Sequence, residues 1–283
     1  MMGMRGGTIV VNGAVAPNAV VPAGIVRLRL LNGANARSFD LSFADGRLLH
    51  VIAGDGGYLA KPVAMRRLLL SPGERFEVLV DFSDGKPAVL QTEEDDIGMG
   101  MMGPGMMGGR FGRRAESDAF MRFEVDRDLA VKAWGIPRTL VSRPAPDPSK
   151  AVARREFSLD MGMMGMMSMF GMGGGMAING RTFDPKRIDV EVKLGTSEIW
   201  SVAPSMMAHP FHIHGAMFEV LSIDGKAPPA HLTGPKDTIL LDEERAELLV
   251  SFTRPATRQH PFVYHCHILE HEGGGMMGQY TAT

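Results

Sequence analysis

The feature that most constrains the fold is a stretch near the C-terminus, from His265 to Met276, with the sequence HCHILEHEGGGM. It contains the single cysteine of the chain, Cys266, and the apolar run Phe262–Tyr264 leads directly into it. Such a run predicts a β-strand that enters a loop. Because successive side chains of a strand point to opposite faces, Cys266 faces away from His265 and His267. One short strand is therefore predicted to supply two separate groups of metal-binding side chains.

On the cysteine side, His271 and Met276 follow in a glycine-rich loop that can fold back toward the strand. A thiolate, two imidazoles and a weak axial thioether form the ligand set of a blue-copper electron-transfer site. Cys266, His271 and Met276 supply three of these groups, and His209, in the upstream segment HPFHIHG, is the natural fourth. The spacing therefore predicts a copper site of this kind.

A second site is predicted on the opposite face, from two pairs of histidines. His265 and His267 have the spacing of side chains on one face of a strand, and so do His212 and His214. Two such pairs on adjacent strands can converge on further metal, and imidazole suits copper. Dioxygen reduction needs metal with open coordination positions, and a histidine cluster of this kind can hold such metal.

Simpler interpretations exist for each part of the pattern. A lone His-x-His pair is often structural, a lone cysteine is most often a small buried hydrophobe, and zinc binds many clusters of histidine and cysteine. However, a methionine shortly after the cysteine and histidine is not a zinc pattern, whereas soft thioether ligands select copper. The combination therefore favours copper.

These two segments resemble the C-terminal copper motifs of the multicopper oxidases, a family of laccases, bilirubin oxidases and cuprous oxidases, and they are most similar to those of bacterial copper-efflux oxidases. The resemblance implies a type 1 copper and a trinuclear cluster, which couple one-electron oxidation of a substrate to four-electron reduction of dioxygen to water. The implied type 1 ligands are His209, Cys266, His271 and Met276. The implied ligand of the type 2 copper is His212, and those of the type 3 pair are His214, His265 and His267.

The chain departs from the family pattern in one respect that bears on activity. In the family, half of the trinuclear-cluster histidines come from two further His-x-His motifs in an N-terminal domain. The printed sequence contains no such motif, and its remaining histidines, His50, His231 and His260, are scattered. We therefore expect a complete type 1 site and half of a trinuclear cluster. A missing N-terminal cupredoxin domain, or a separate chain, is the expected source of the other half.

The rest of the chain predicts an all-β protein. The resemblance implies that it forms two cupredoxin-like Greek-key β-sandwiches in tandem. Short strands of alternating polarity lie between Gly, Pro and Asp turn signals, as in a sandwich. An internal repeat is visible, because Arg37–Ser42 matches the pattern and setting of His209–His214. The first copy has Arg37, Asp40 and Ser42 where the second has histidine. It is therefore predicted to bind no copper, like the middle domain of the family.

The predicted boundaries place the copper-free sandwich at residues 1–126, a proline-rich linker at 127–155 and the copper-binding sandwich at 156–283. A Met-rich insertion is expected at 161–176, and the glycine in it disfavours a helix. It is either a low-complexity linker or, as we favour, a loop that recruits Cu(I), because soft thioethers select Cu(I). Copper-efflux oxidases carry a similar insertion. The resemblance therefore implies a set of candidate ligands for a substrate Cu(I) ion, namely Asp160, Met161, Met163, Met164 and Met207.

Two carboxylates are candidates for roles in catalysis. Glu272 follows His271 and can deliver protons, which the reduction of dioxygen consumes. A matching glutamate has that role in copper-efflux oxidases. Asp237 can accept the second N–H of a ligand histidine and so orient its ring. For each of them, an ordinary loop or turn carboxylate is the alternative interpretation.

The formal net charge of −2 offers no electrostatic case for nucleic acid, and no apolar run reaches the length of a membrane span. The resemblance implies a periplasmic or exported protein, with dioxygen and either Cu(I) or a phenol as its reactants. Two rival functions stay open. One is a blue-copper electron-transfer or copper-binding protein without oxidase activity, and the other is a laccase-like phenol oxidase.

Overall fold

The computed structural model of the chain describes residues 3–93, 118–129, 135–161, 175–205 and 207–283. Regular structure in these ranges is almost entirely β-strand, which confirms the predicted all-β class. The strands of the first half are β1 (Val10–Val11), β2 (Ala14–Val15), β3 (Asn18–Pro22), β4 (Ile25–Leu31), β5 (Phe39–Phe43), β6 (Leu49–Gly54), β7 (Gly57–Met65), β8 (Arg67–Leu70), β9 (Arg75–Asp81), β10 (Ala88–Glu93) and β11 (Asp118–Asp126).

Within its described residues, the second half adds further strands, one short α-helix, α1 (Leu269–Gly273), and two 3₁₀ turns, Pro148–Lys150 and Ala230–Leu232. Its strands are β12 (Ala151–Met161), β13 (Met176–Ile178), β14 (Val190–Val192), β15 (Ser197–Pro204), β16 (His209–Ile213), β17 (Met217–Ile223), β18 (Thr238–Leu241), β19 (Ala246–Ser251), β20 (Phe262–Cys266) and β21 (Met277–Ala282).

The first sandwich consists of a five-stranded sheet, in the order β3-β11-β10-β5-β8, and a four-stranded sheet, β4-β9-β6-β7. Alternating sequence explains how β9 contributes to the core: Phe76, Val78 and Val80 are buried, while the residues between them are half-buried. Burial of each such side chain stabilises the fold by about 1.5–3 kcal/mol. The apolar residues that meet between the two sheets form one continuous core.

The second sandwich pairs a sheet β13-β12-β15-β19-β17 with a sheet β14-β21-β20-β16-β18. Trp200 is fully buried at the centre of its core. The ring centroid of Trp200 lies 4.5 Å from that of Phe157 and 5.4 Å from that of Tyr264. Tyr264 belongs to β20, so this aromatic cluster fixes the strand that carries Cys266 against the opposite sheet.

The five-stranded sheets that contain β5 and β16 have matching strand orders. In each, the edge strand, β3 or β14, pairs in parallel with its neighbour, and the remaining pairings are antiparallel. Strand β5 therefore occupies the position of β16, and β10 that of β20. This confirms the internal repeat that the sequence indicates.

Strand β12 begins at Ala151, inside the range 127–155 that the prolines predict as a linker. Ala151 is in register with Ser197 of β15, so residues 151–155 belong to the second sandwich. At its other end, β12 pairs with β13, and Met161 lies opposite Met176. Residues 162–174, most of the predicted Met-rich insertion, lie outside the residues that the structure describes.

Buried ion pairs join the two sandwiches. Lys236 Nζ lies 2.8 Å from Asp55 Oδ2 and 3.0 Å from Glu74 Oε1, and the lysine side chain is 1% exposed. Next to it, both terminal nitrogens of Arg75 donate to the Asp237 carboxylate, at 2.6 and 2.7 Å. Glu74 and Arg75 of the first sandwich thus pair with Lys236 and Asp237 of the second, respectively.

Candidate metal centre

The site is built on two adjacent antiparallel strands, β16 and β20. Their register places Phe211 opposite Cys266 and His212 opposite His265. Because side chains alternate along a strand, the register assigns Cys266 to one face of the sheet and His265 to the other. This geometry supports the prediction that a single strand supplies two groups of ligands.

The first group, the cysteine site, consists of Cys266, His209 and His271, all completely buried. Cys266 Sγ lies 3.4 Å from Nδ1 of His209 and 3.4 Å from Nδ1 of His271. The two Nδ1 atoms are 3.1 Å apart. One sulfur and two imidazole nitrogens therefore converge on a single point, as the ligands of one metal ion do.

Helix α1 and the loop after it bring His271 and Met276 back to the cysteine. The amide of Met276 donates to the His271 carbonyl at 2.9 Å, and the amide of Cys266 donates to the Met276 carbonyl at 3.2 Å. Met276 is completely buried in the same core as Cys266. Its thioether as the axial ligand stays a prediction, which this close return of the chain supports.

Burial raises the pKa of the Cys266 thiol to about 12, so the metal-free protein holds it protonated at neutral pH. A bound cation displaces that proton, because a thiol that coordinates a metal is deprotonated. One sulfur and two imidazoles in a buried pocket form a donor set that fits copper, with the soft sulfur favouring it over harder metals.

The second group, the histidine cluster, consists of His212, His214, His265 and His267. Nε2 of His214 lies 2.9 Å from Nε2 of His265. One ring nitrogen from each of His212, His214 and His265 lies within 4.8 Å of the others. The ring of His267 is 5.7 Å from that of His212 and 5.8 Å from that of His265, centroid to centroid.

The surroundings of the histidine cluster favour neutral imidazoles, the form that binds a metal ion. Burial, reinforced by the neighbouring imidazoles of His212 and His265, lowers the pKa of His214 to about 4. Burial likewise lowers the pKa of His265 and of His267. These three rings are therefore neutral at pH 7, and a neutral imidazole keeps a lone pair for a metal.

Backbone and side-chain oxygens contact the Nδ1 atoms of His212 and His265. Nδ1 of His212 lies 2.9 Å from the Asp237 carbonyl oxygen and 2.9 Å from Thr238 Oγ1. Nδ1 of His265 lies 2.9 Å from the Cys266 carbonyl oxygen. If each Nδ1 donates its proton to these oxygens, Nε2 is left as the metal-binding atom, which is how second partners orient ligand histidines.

Asp237 is held as a carboxylate. Burial alone would raise the pKa of Asp237, but hydrogen bonds from Arg75 and His212 outweigh burial and keep the pKa well below its usual range. The Asp237 carboxylate also accepts a hydrogen bond from Thr238 Oγ1 at 2.9 Å. Its placement beside His212 suits the orienting role that the sequence predicts for it.

The other predicted residues are placed as follows. Glu272 Oε2 lies 3.3 Å from Nδ1 of His265, and the glutamate side chain is 36% exposed. The Asp160 carboxylate accepts hydrogen bonds from Ser158 Oγ at 2.7 Å and from the Gly180 amide at 2.8 Å, so it contacts the turn that follows β13. Met207 is half-buried against the core that contains Cys266, and Met161 is buried at the end of β12. Met163 and Met164 lie outside the described residues.

Sequence reasoning missed Arg75, which connects to the histidine cluster through Asp237. The two residues are separated by 162 positions along the chain. Arg75 lies in a sandwich that the sequence marks as copper-free, and nothing in its local pattern points to the other half of the molecule. Only the packing of the two sandwiches reveals the contact.

Comparison with known proteins defines the class. Two family models, both described as multicopper oxidase, match residues 154–283 and residues 2–89. The chain therefore belongs to the multicopper oxidase family, as the two histidine segments predict.

Among solved structures, a laccase-like multicopper oxidase, CueO from Ochrobactrum sp., is 48% identical, with a TM-score of 0.89 over 100% of this chain and 61% of its own. Multicopper oxidase mco of Staphylococcus aureus is 33% identical over 99% of this chain and 53% of its own length. The cell division protein FtsP of Dickeya dadantii is 37% identical over 99% of this chain and 56% of its own length.

The chain thus spans about half the length of the curated relatives it matches. Those relatives include an oxidase and a cell division protein, so family membership alone does not fix the activity. Within the described ranges, no helix has the length and apolar character needed to cross a membrane.

Proposed function

We propose that this chain carries the type 1 copper site and half of the trinuclear copper cluster of a multicopper oxidase. The observation that carries the proposal is the pair of donor groups on opposite faces of one strand, joined through the backbone of Cys266. The buried convergence of Cys266, His209 and His271 favours an oxidase, because these side chains form a donor set that suits copper.

Bound copper would supply one-electron redox chemistry at both groups. Cys266 is covalently continuous with His265 and His267, which gives electrons a short path from the cysteine site to the histidine cluster. Four one-electron oxidations of substrate, with four protons, convert one dioxygen to two waters. Glu272 contacts His265 and is partly exposed, which supports a role for it in passing protons from solvent toward the cluster.

The remaining histidines of the trinuclear cluster would come from an N-terminal cupredoxin domain or a second chain. The 283 residues contain two His-x-His motifs, and the histidine cluster uses both. We accordingly propose dioxygen as the electron acceptor of the assembled enzyme and an exported or periplasmic location, as the family resemblance implies.

The substrate is either Cu(I) or a phenol. The Met-rich insertion supports Cu(I), because thioethers select that ion. The Ochrobactrum enzyme, which is described as an oxidase of lignin model compounds and lignosulfonate, supports phenols. We favour Cu(I), with Met161, Met163, Met164, Met207 and Asp160 as the candidate residues of the substrate site.

The substrate step can be tested in this chain alone. The copper-loaded protein is mixed anaerobically with Cu(I) or with a phenol, and the bleaching of the blue absorption is followed in a stopped-flow instrument. We expect Cu(I) to bleach it faster. A matched variant replaces residues 162–175 by Asn-Gly, a turn that can join the paired ends Met161 and Met176. It should lose the preference for Cu(I), and an unchanged preference would rule out recruitment by the insertion.

An electron-transfer protein is the second candidate, and the histidine cluster of only four side chains favours it. The two functions differ in what happens when air is admitted to the bleached protein. An oxidase with a working cluster regains its colour and consumes dioxygen. An electron-transfer protein stays bleached until an oxidised partner is added. The comparison is made in the assembled enzyme, in which an N-terminal cupredoxin domain or a second chain supplies the remaining histidines.

A further inference from the structure

One turn of the first sandwich reaches the histidine cluster of the second. It comprises Ser71–Glu74, between β8 and β9, and Arg75, the first residue of β9. Gly73 has a φ of +82°, and a Cβ added there would lie 2.6 Å from Cδ2 and 2.7 Å from Nε2 of His267. The bare backbone of Gly73 therefore packs directly against the His267 ring, in a place where no side chain fits.

The same turn reaches a second histidine through Arg75. Its guanidinium makes two hydrogen bonds to the Asp237 carboxylate, and such a planar fork fixes a carboxylate in orientation as well as position. Asp237 in turn contacts His212 through its carbonyl oxygen, 2.9 Å from Nδ1. Arg75 thus acts on His212 through one intermediate residue.

The turn itself is held firmly within the first sandwich. The Glu74 carboxylate accepts hydrogen bonds from the Ser71 amide at 2.9 Å and from Ser71 Oγ at 2.8 Å, and both residues are buried. The Arg75 amide donates to Asp55 Oδ1 at 2.8 Å. Asp55 and Glu74 also hold Lys236, the neighbour of Asp237. The position of the turn is therefore transmitted to the second sandwich through buried contacts.

We propose that Gly73 and Arg75 are positioning residues for His267 and His212, so that the copper-free sandwich forms one wall of the histidine cluster. Neither residue carries a metal ligand. The inference rests on the proposed function only in that these histidines bind copper, and it assigns the copper-free sandwich a part in the metal centre beyond that of a spacer.

Two matched pairs of variants test the proposal in the full chain. Gly73→Ala is compared with Gly13→Ala, because Gly13 has a φ of +84° and open space around its Cβ position, so the backbone strain is alike. Arg75→Gln is compared with Arg155→Gln. Arg155 forms a similar two-bonded pair with Glu198, at 2.6 and 2.9 Å, and its side chain is 32% exposed against 35% for Arg75.

The first measurement needs no metal. The ring nitrogens of the histidines are followed by NMR in the copper-free protein labelled with ¹⁵N-histidine. We expect Gly73→Ala to shift the signals of His267 and Arg75→Gln to shift those of His212, while both controls leave these signals in place. Unchanged signals in Gly73→Ala and Arg75→Gln would overturn the proposal, whatever the copper content.

The second measurement determines the number of bound copper ions and their relative affinities by competition with a chelator. We expect Gly73→Ala and Arg75→Gln to weaken copper at the histidine cluster by about 10-fold or more, the usual effect of removing an outer partner of a ligand. The blue copper at Cys266 should be retained in all four variants. Equal cluster affinity in the two variants and their controls would contradict the proposal. Absence of any blue copper in the unaltered protein would instead refute the proposed function.

Discussion

The two sandwiches share the strand order of one five-stranded sheet, and they carry different side chains at one pair of facing positions in it. In the second sandwich, His212 of β16 pairs with His265 of β20. In the first, the corresponding strands β5 and β10 pair Asp40 with Glu93. Arg67 bridges these two carboxylates, with its Nε 3.0 Å from Asp40 Oδ2 and Nη2 2.8 Å from Glu93 Oε2. The same place in the fold holds imidazoles in one copy and a closed ion cluster in the other.

In both sandwiches the backbone provides the same geometry, and the side chains decide the chemistry. The Asp40 and Glu93 carboxylates are hard oxygen donors that already pair with a cation, Arg67, whereas neutral imidazoles suit copper. The difference extends to the third strand. Thr238 of β18 lies opposite His212 and contacts it, whereas apolar Leu69 of β8 lies opposite Asp40. The third strand thus places a polar residue opposite the predicted ligand His212 and an apolar residue opposite Asp40.

The largest effect is expected for Cys266→Ser. Hydroxyl oxygen is not a soft ligand, so the intense blue absorption should vanish completely and leave the second sandwich as colourless as the first. Visible absorption and circular dichroism are measured together, to show that the fold persists. The control His260→Gln alters an exposed histidine outside both donor groups and should keep the colour. A blue band in Cys266→Ser would mean that Cys266 is not its source.

The next largest effect is expected for Lys236→Met, which breaks the buried contact between the sandwiches. Asp55 and Glu74 would be left as buried carboxylates without their cation, at a cost of about 3–5 kcal/mol in the free energy of unfolding. Chemical denaturation measures it. The control Lys226→Met, at an exposed lysine, should change stability by less than about 0.5 kcal/mol. Equal effects of the two substitutions would show that the interface contributes little.

A smaller effect is expected for Thr238→Val, which gives β18 an apolar residue like Leu69 of β8. The buried hydroxyl contacts both Asp237 and His212, so its loss should lower the free energy of unfolding by about 1–3 kcal/mol. It should also weaken copper at the histidine cluster, as judged by chelator competition. Thr196→Val removes an exposed hydroxyl bonded to Lys193 and serves as the control. Full copper affinity in Thr238→Val would show that Thr238 does not help to orient His212.

The smallest effect is expected for Arg67→Gln. The side chain of Arg67 is 44% exposed, so solvent screens its ion pairs, and the free energy of unfolding should fall by less than about 1 kcal/mol. Copper binding should not change, because neither Asp40 nor Glu93 is a predicted copper ligand. Isothermal titration with Cu(II), beside thermal unfolding, tests both statements. New copper binding in this variant would show that the carboxylate pair is a latent metal site.

Much of this architecture is readable from sequence because it is local. The spacing around Cys266 determines which side chains share a face, and the repeat of Arg37–Ser42 in His209–His214 reveals two copies of one fold. The extent of β12 was not readable, because the prolines at 137, 144, 146 and 148 mark a linker, while the strand begins soon after them at Ala151. The pairing of Ala151 with Ser197 depends on tertiary contacts that local patterns do not record.

The parts of the site that sequence did not predict are contacts between the two halves. Arg75 and Gly73 carry no metal-binding chemistry of their own, and their importance arises from what lies opposite them. The glutamate before Arg75 and the lysine before Asp237 have complementary charge, but charged pairs are common on protein surfaces. Their burial distinguishes this pair, and burial is a property of the packed molecule.

The most direct test of the central claim is to load the unaltered chain with copper and record its visible absorption against its copper content. We predict an intense blue band that saturates at about one copper per chain, from Cys266 with His209 and His271 as ligands. Further copper should bind without adding to that band. Bound copper with no blue band at any loading would contradict the assignment of the cysteine site.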